Sequence, residues 1–128
     1  LEDTMPHDVP VLRSGETVHE AADFAVEIGA AAMLFNCSQP EVMAEALKVA
    51  HEAQGRLKLG VYANAFEPVQ GQMNEANDGF DPIRSDATPK NYLAWARQWA
   101  DLGAEIIGGC CGIAPEHIRA LAQGFKAV

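Results

Sequence analysis

The 128-residue sequence is poor in positive charge, with 9 Lys and Arg against 18 Asp and Glu and a net charge of −9. The acids are scattered rather than bunched, so the chain lacks the cationic surface that nucleic acid or an anionic membrane rewards, and neither is expected as a partner. Long apolar runs are also missing, since none approaches the roughly 20 residues that span a bilayer. Leu1 to Pro10 lacks the basic-then-apolar order of a signal peptide, and the sequence reads as soluble and cytoplasmic. Cysteine is scarce and odd in number, 3 with two adjacent, which argues against a structural disulfide framework and for reduced thiols, free or metal-bound. No close repeat or low-complexity tract divides the chain. With 48% hydrophobic residues it has enough apolar content for one core, so residues 1–128 are expected to form a single domain.

Four stretches have helical apolar spacing and start signals. Thr17 and Glu20 form a capping-box pair ahead of Val18, Ala21, Ala22, Ala25 and Ile28, with Gly29 as a stop. Ser38 and Glu41 repeat the pair, with Pro40 in the first turn, before Met43, Ala46, Leu47 and Ala50, and Gly55 follows. Thr88 and Pro89 open a third helix with Tyr92, Ala96 and Trp99 on one face. Pro115 opens a fourth, whose predicted buried stripe is Ile118, Leu121, Ala122 and Phe125. Trp95 and Trp99, one helical turn apart, read as packing residues. Three short apolar runs, 31–35, 57–63 and 105–107, read as buried strands. A helix followed by three strand-helix units predicts an α/β chain with parallel crossovers. Residues 64–87 form a long polar loop after the second strand, at the sheet edge where α/β proteins place ligands.

The cysteines fall at this same edge. Cys37 ends the first strand, and Cys110 and Cys111 end the third within Gly-Gly-Cys-Cys-Gly at 108–112. Zinc favours thiolates, and in catalytic sites it takes three protein ligands and keeps a fourth position open. Adjacent residues of a strand face opposite ways, so Cys110 and Cys111 can share one ion only where the strand has ended and the chain has turned, which the flanking glycines permit. Small buried thiols, or a redox-active vicinal disulfide, are the alternatives that spacing leaves open.

Together these residues resemble the homocysteine S-methyltransferase family. Gly108 to Gly112 followed by Ala114-Pro115-Glu116-His117-Ile118 looks like the family's last strand and helix, Asn36-Cys37 like its earlier zinc-ligand motif, and Val61-Tyr62-Ala63-Asn64 lies where many members read Tyr-Pro-Asn. Ala63 departs from that pattern and leaves the subfamily, and so the methyl donor, open. The family folds as a (β/α)8 TIM barrel, which typically takes about 250 residues. The resemblance therefore implies the C-terminal half of the barrel, helix 5 plus strand-helix units 6 to 8, as one partial domain.

What the resemblance implies chemically is zinc (Zn2+) held by Cys37, Cys110 and Cys111, with Asn64 and Tyr62 lining the site or supporting the ligands. Homocysteine and a methyl donor would be the substrates and methionine the product. Packing for Tyr62 and a loop start for Asn64 are the plain readings. Glu67 and Glu116 read as solvated carboxylates and His117 as a surface residue at a helix start. Half a barrel would be inactive alone, and its open sheet edges would invite pairing, as a homodimer or with the missing N-terminal half-barrel. The remaining alternatives are a metal or redox module built on Cys110 and Cys111, and a structural half-barrel that joins a partner chain.

Overall fold

A chain with this pattern should wind strand by strand, and it does. The computed structural model describes residues 1–2, 8–68 and 82–126. It contains α1 (Val18–Glu27), β1 (Ala32–Asn36), a 3-10 turn (Pro40–Val42), α2 (Met43–Ala53), β2 (Lys58–Tyr62), α3 (Pro89–Asp101), β3 (Ala104–Ile107) and α4 (Pro115–Lys126). Among the described residues, no helix is long and apolar enough to cross a membrane.

The first helix starts and stops on its local signals. The Glu20 amide donates to Thr17 Oγ1 at 3.1 Å, and the Thr17 amide donates to the Glu20 carboxylate at 2.8 Å. At the other end Gly29 takes a φ of 75°, and the Ala30 amide reaches back to the Ala25 carbonyl at 2.8 Å. This left-handed closure suits glycine because it has no Cβ. Thr88 caps α3 through the Asn91 amide, and Tyr92, Ala96 and Trp99 are buried as the spacing predicts.

Three local expectations are corrected. No Ser38–Glu41 capping box forms. A 3-10 turn capped at Gln39 intervenes, Ser38 Oγ donates to the Leu1 carbonyl instead, and Glu41 pairs with Arg84. The buried face of α4 is also rotated from the predicted stripe. His117 and Leu121 are inside, while Ile118 and Phe125 are 45% and 38% exposed and Ala122 is exposed. The turn is set by Gly124, which packs against Leu93 of α3 where a Cβ would lie 2.5 Å from Leu93 Cδ1. Ile28, at the end of α1, is likewise 63% exposed rather than buried.

The three strands run parallel in the order β1-β2-β3. Strand order thus follows chain order, and each helix packs on the next, α1 on α2, α2 on α3 and α3 on α4, forming one helical layer. Phe35, Leu59 and Val61 join α1 to α4 in a common core with Met43, Leu47, Tyr92 and Trp99. The sheet's second face carries the alternate residues. There Leu34 and Ile106 close over Gly60, and the ring of Tyr62 lies against Gly108.

The long loop is not featureless where it is described. Phe66 and Ile83 form an antiparallel bridge, and the Glu67 amide donates to the Pro82 carbonyl at 2.9 Å. The two limbs of the loop therefore pair just above the sheet edge. Residues 69–81 of the predicted 64–87 loop lie outside the described residues.

Candidate metal centre

The site is built from strand ends. β1 stops at Asn36 because Cys37 turns into the left-handed region, with a φ of 54°. For a residue with a Cβ, this conformation costs about 1 to 2 kcal/mol and persists only where surrounding contacts enforce it. The enforcing contacts are explicit. The Cys37 amide donates to the Tyr62 carbonyl at 2.8 Å. The Cys37 carbonyl accepts from Asn64 Nδ2 at 3.1 Å and from Arg13 Nη2 at 3.3 Å.

β3 stops at Ile107, and the backbone continues to bond along β2 without keeping strand geometry. The Gly108 amide donates to Val61, the Cys110 amide to Ala63, and the Ala65 amide to the Cys111 carbonyl. A turn closed by the Ile113 amide on the Cys110 carbonyl, with Gly112 at a φ of 76°, then leads into α4. Both vicinal thiols consequently face Cys37. Gly109 is required for close approach, since a Cβ there would lie 2.3 Å from Ile113 Cγ2.

The three sulfurs lie within 4.8 Å of one another, with Cys37 and Cys111 at 3.6 Å and Cys110 and Cys111 at 3.8 Å. Four ligands at about 2.3 Å around a tetrahedral zinc ion stand about 3.8 Å apart, so the spacing suits such a donor set. All three cysteines are free; Cys37 and Cys110 are half-buried and Cys111 is exposed, leaving the cluster open on one side. Burial pushes the Cys37 thiol up, but hydrogen bonds from the Cys110 and Cys111 thiols, the Cys111 amide and the Asn64 side chain outweigh it and hold the group below its ordinary value. Burial first, then the neighbouring Cys37, pushes Cys110 up to about 12. The two thiols are thus driven in opposite directions, Cys37 toward the thiolate and Cys110 toward the neutral thiol, and because metal ligands must be deprotonated, a dication bound there would release protons.

A family model described as homocysteine S-methyltransferase matches residues 3–125. The chain belongs to the homocysteine S-methyltransferase family. Homocysteine S-methyltransferase 3 of Arabidopsis thaliana is 29% identical over 111 residues, which are 85% of this chain and 30% of that protein. Betaine--homocysteine S-methyltransferase 1 of Mus musculus is 32% identical over 114 residues, 81% of this chain and 28% of its own length. The homocysteine methyltransferase MmuM from Escherichia coli, in its metallated form, superposes with a TM-score of 0.65 at 23% identity, covering 94% of this chain and 33% of that one; the two share a fold. The chain thus spans about a third or less of these relatives' length.

In this homocysteine S-methyltransferase family member, the other residues singled out in the sequence separate clearly. Asn64 is buried and bonds to the Cys37 carbonyl. Tyr62 packs its ring on Gly108, beside the glycine-cysteine turn. Glu67 and Glu116 are exposed, as expected. His117 is not a surface residue. It is 7% exposed, accepts from the Ala114 amide through Nδ1 at 3.1 Å, and stands 2.7 Å from the Ala87 carbonyl through Nε2. It therefore caps α4 and ties it to the segment entering α3 rather than approaching the thiols. Four residues were not legible in the sequence as part of the site: Gln39 and Arg84, which bond in series to Asn64, Arg13, which donates to the Cys37 carbonyl, and Tyr92, expected only to pack, whose phenol reaches the strand ends. Their signal is a polar group on an otherwise apolar or loop position, which has no meaning until its distant partner is known.

Proposed function

We propose that this chain carries the zinc-binding part of a homocysteine S-methyltransferase, with Cys37, Cys110 and Cys111 as the protein ligands of one Zn2+. The observation that carries this reading is the trio of sulfurs within 4.8 Å at the open edge of the sheet. Held by Cys37, Cys110 and Cys111, zinc would leave a coordination position open and would supply the acidity that keeps a substrate thiol deprotonated at neutral pH, ready to accept a methyl group. The relatives' names supply homocysteine as that thiol.

The chain's own residues have defined tasks. Cys37 is presented by a left-handed turn that the Asn64 side chain holds, Cys110 and Cys111 by the glycine-flanked turn after β3. The ring of Tyr62 on Gly108 keeps that turn against the sheet. The architectural part of the reading is the C-terminal half of a TIM barrel, helix 5 and strand-helix units 6 to 8. Supporting it, among the described residues, are strand order that follows chain order, a single helical layer, and the two outer strands, β1 and β3, each paired on one side. Early strands that complete a substrate pocket belong to the rest of such a barrel, so the chain alone holds metal without completing methyl transfer. A second copy or an N-terminal half-barrel would cover the open edges. Three free thiols suit a reducing compartment such as the cytoplasm.

The test is metal content with free-thiol titration on reduced protein purified without chelator, for the parent and for Cys110→Ser. One zinc per chain, lost in the variant, supports the reading. No zinc, with two thiols lost reversibly on mild oxidation, would replace it with a dithiol module. Turnover of homocysteine by this chain alone would overturn the inactive-half part.

A further inference from the structure

We infer that Arg84 and Gln39 are positioning residues for the Cys37 ligand, acting through Asn64 by a one-way relay of hydrogen bonds; this rests on the metal-centre reading above. Arg84 Nη1 donates to Gln39 Oε1 at 2.9 Å, Gln39 Nε2 donates to Asn64 Oδ1 at 3.1 Å, and Asn64 Nδ2 donates to the Cys37 carbonyl at 3.1 Å. The direction of the relay is forced at both ends. A guanidinium has donors only, so Gln39 must turn its oxygen toward Arg84 and its NH2 toward Asn64. Gln39 Nε2 also meets the Phe66 carbonyl at 3.0 Å, and the Phe66 amide donates to Asn64 Oδ1 at 3.2 Å. Asn64 therefore has its oxygen occupied by two donors, and its NH2 is left for the Cys37 carbonyl. Reversing either amide would set acceptor against acceptor along the chain.

Arg84 is suited to anchor the relay because its own position is overdetermined. Its guanidinium pairs with Glu41 at 2.5 Å and Asp86 at 2.7 Å, lies 5.3 Å from the Trp95 ring centroid, and is only 13% exposed. The far end of the relay is the residue that most needs holding, the non-glycine at a φ of 54° whose thiol faces Cys110 and Cys111. Gln39 and Asn64 are both buried, at 4% and 7% exposure, so water does not compete for the inner links.

The experiment compares the parent with Gln39→Glu, Arg84→Met and Arg84→Lys on the full chain, checking the fold by far-UV circular dichroism. Gln39→Glu keeps the Arg84 contact but turns an acceptor toward Asn64 and Phe66; Arg84→Met removes the donor; Arg84→Lys retains one. Two quantities are read: zinc affinity by competition with a chromophoric chelator, and the alkylation rate of Cys37 relative to Cys110 and Cys111 in metal-free reduced protein. Expected are a loss of about 10- to 100-fold in affinity for Gln39→Glu and Arg84→Met, typical for groups that orient a ligand, with partial rescue in Arg84→Lys. The Cys37 rate should change relative to the other two thiols. Parent-like affinity and rate ratio in both disruptive variants, or a uniform change at all three thiols, would overturn the inference. If Arg84→Met does not fold, Gln39→Glu decides. If the parent holds no zinc, the metal reading fails, and the rate ratio still decides whether the relay positions Cys37.

Discussion

The phenol of Tyr92 donates to the carbonyl of Gly108 at 2.8 Å, tying helix α3 to the strand end from which Cys110 and Cys111 leave. A weaker contact at 3.4 Å reaches the Ala63 carbonyl on the neighbouring strand. Burial pushes the Tyr92 phenol above its ordinary value, so it stays protonated, and a donor, at neutral pH. Trp99 and His117 stack edge-on against the ring, at 5.5 and 5.8 Å between centroids, and hold it in place. Tyr92→Phe preserves that packing and removes only the hydroxyl. A loss of about 1 to 3 kcal/mol is expected, the range for a carbonyl left without its buried donor. The measurement is the urea midpoint followed by tryptophan fluorescence; an unchanged midpoint would show the bond to be idle.

The left-handed turn at Cys37 makes a comparison possible that separates backbone from thiol. Cys37→Gly and Cys37→Ala both remove the sulfur, but only glycine adopts a φ of 54° without a Cβ penalty. In metal-free protein Cys37→Gly should be about 1 kcal/mol more stable than Cys37→Ala. Equal thermal stability of the two would mean the strain is absent in solution.

Gly109→Ala places a methyl group 2.3 Å from Ile113 Cγ2, and the turn holding both vicinal cysteines has to shift. Overpacking of this kind typically costs about 1 to 3 kcal/mol. The variant should also lose metal affinity, because Cys110 follows directly. Denaturant melts and zinc competition, run in parallel, check the two effects separately.

The Arg84 hydrogen bonds hold the Glu41 carboxyl below the usual carboxylate range, against the opposing effect of burial, and do the same for Asp86. A carboxyl lowered on folding contributes stability that is complete above its unfolded value, about 4.3 for Glu, and is lost as pH falls through the lowered folded value. Acidification below about pH 4 should therefore destabilise the parent, and Glu41→Gln should show less of that acid-side slope. Since the Glu41 side chain is 41% exposed, solvent screening limits the pair to about 1 kcal/mol. Thermal midpoints across pH 3 to 7 would test this, and identical slopes would remove Glu41 from the account.

The fold was legible wherever its cause is local. Thr17 with Glu20, Thr88 with Pro89, and Gly29 mark helix ends through atoms a few residues apart, and those ends stand where expected. Each of the three short apolar runs holds a strand. Ser38 and Glu41 carried the same local signal and it failed, because the chain enters a 3-10 turn at Gln39 and the Glu41 carboxylate is taken by Arg84, 43 positions along the chain. The predicted stripe of α4 failed similarly, since the close fit of Gly124 to Leu93 decides which face turns inward.

The cysteines show where the division lies. Sequence alone determined that three thiols stand at the C-terminal ends of parallel strands, with glycines around the vicinal pair, because strand ends and turns follow from short-range patterns. Only the tertiary structure decided that Cys37 is left-handed, that Asn64 holds its carbonyl, and that His117 points inward. Those outcomes depend on hydrogen bonds between residues far apart in the chain, 27 positions for Asn64 and Cys37, 30 for His117 and Ala87, and 45 for Arg84 and Gln39. A polar side chain carries no signal of such a partner in its neighbours, and its direction is settled only when folding brings the matching donor or acceptor within reach and water is excluded.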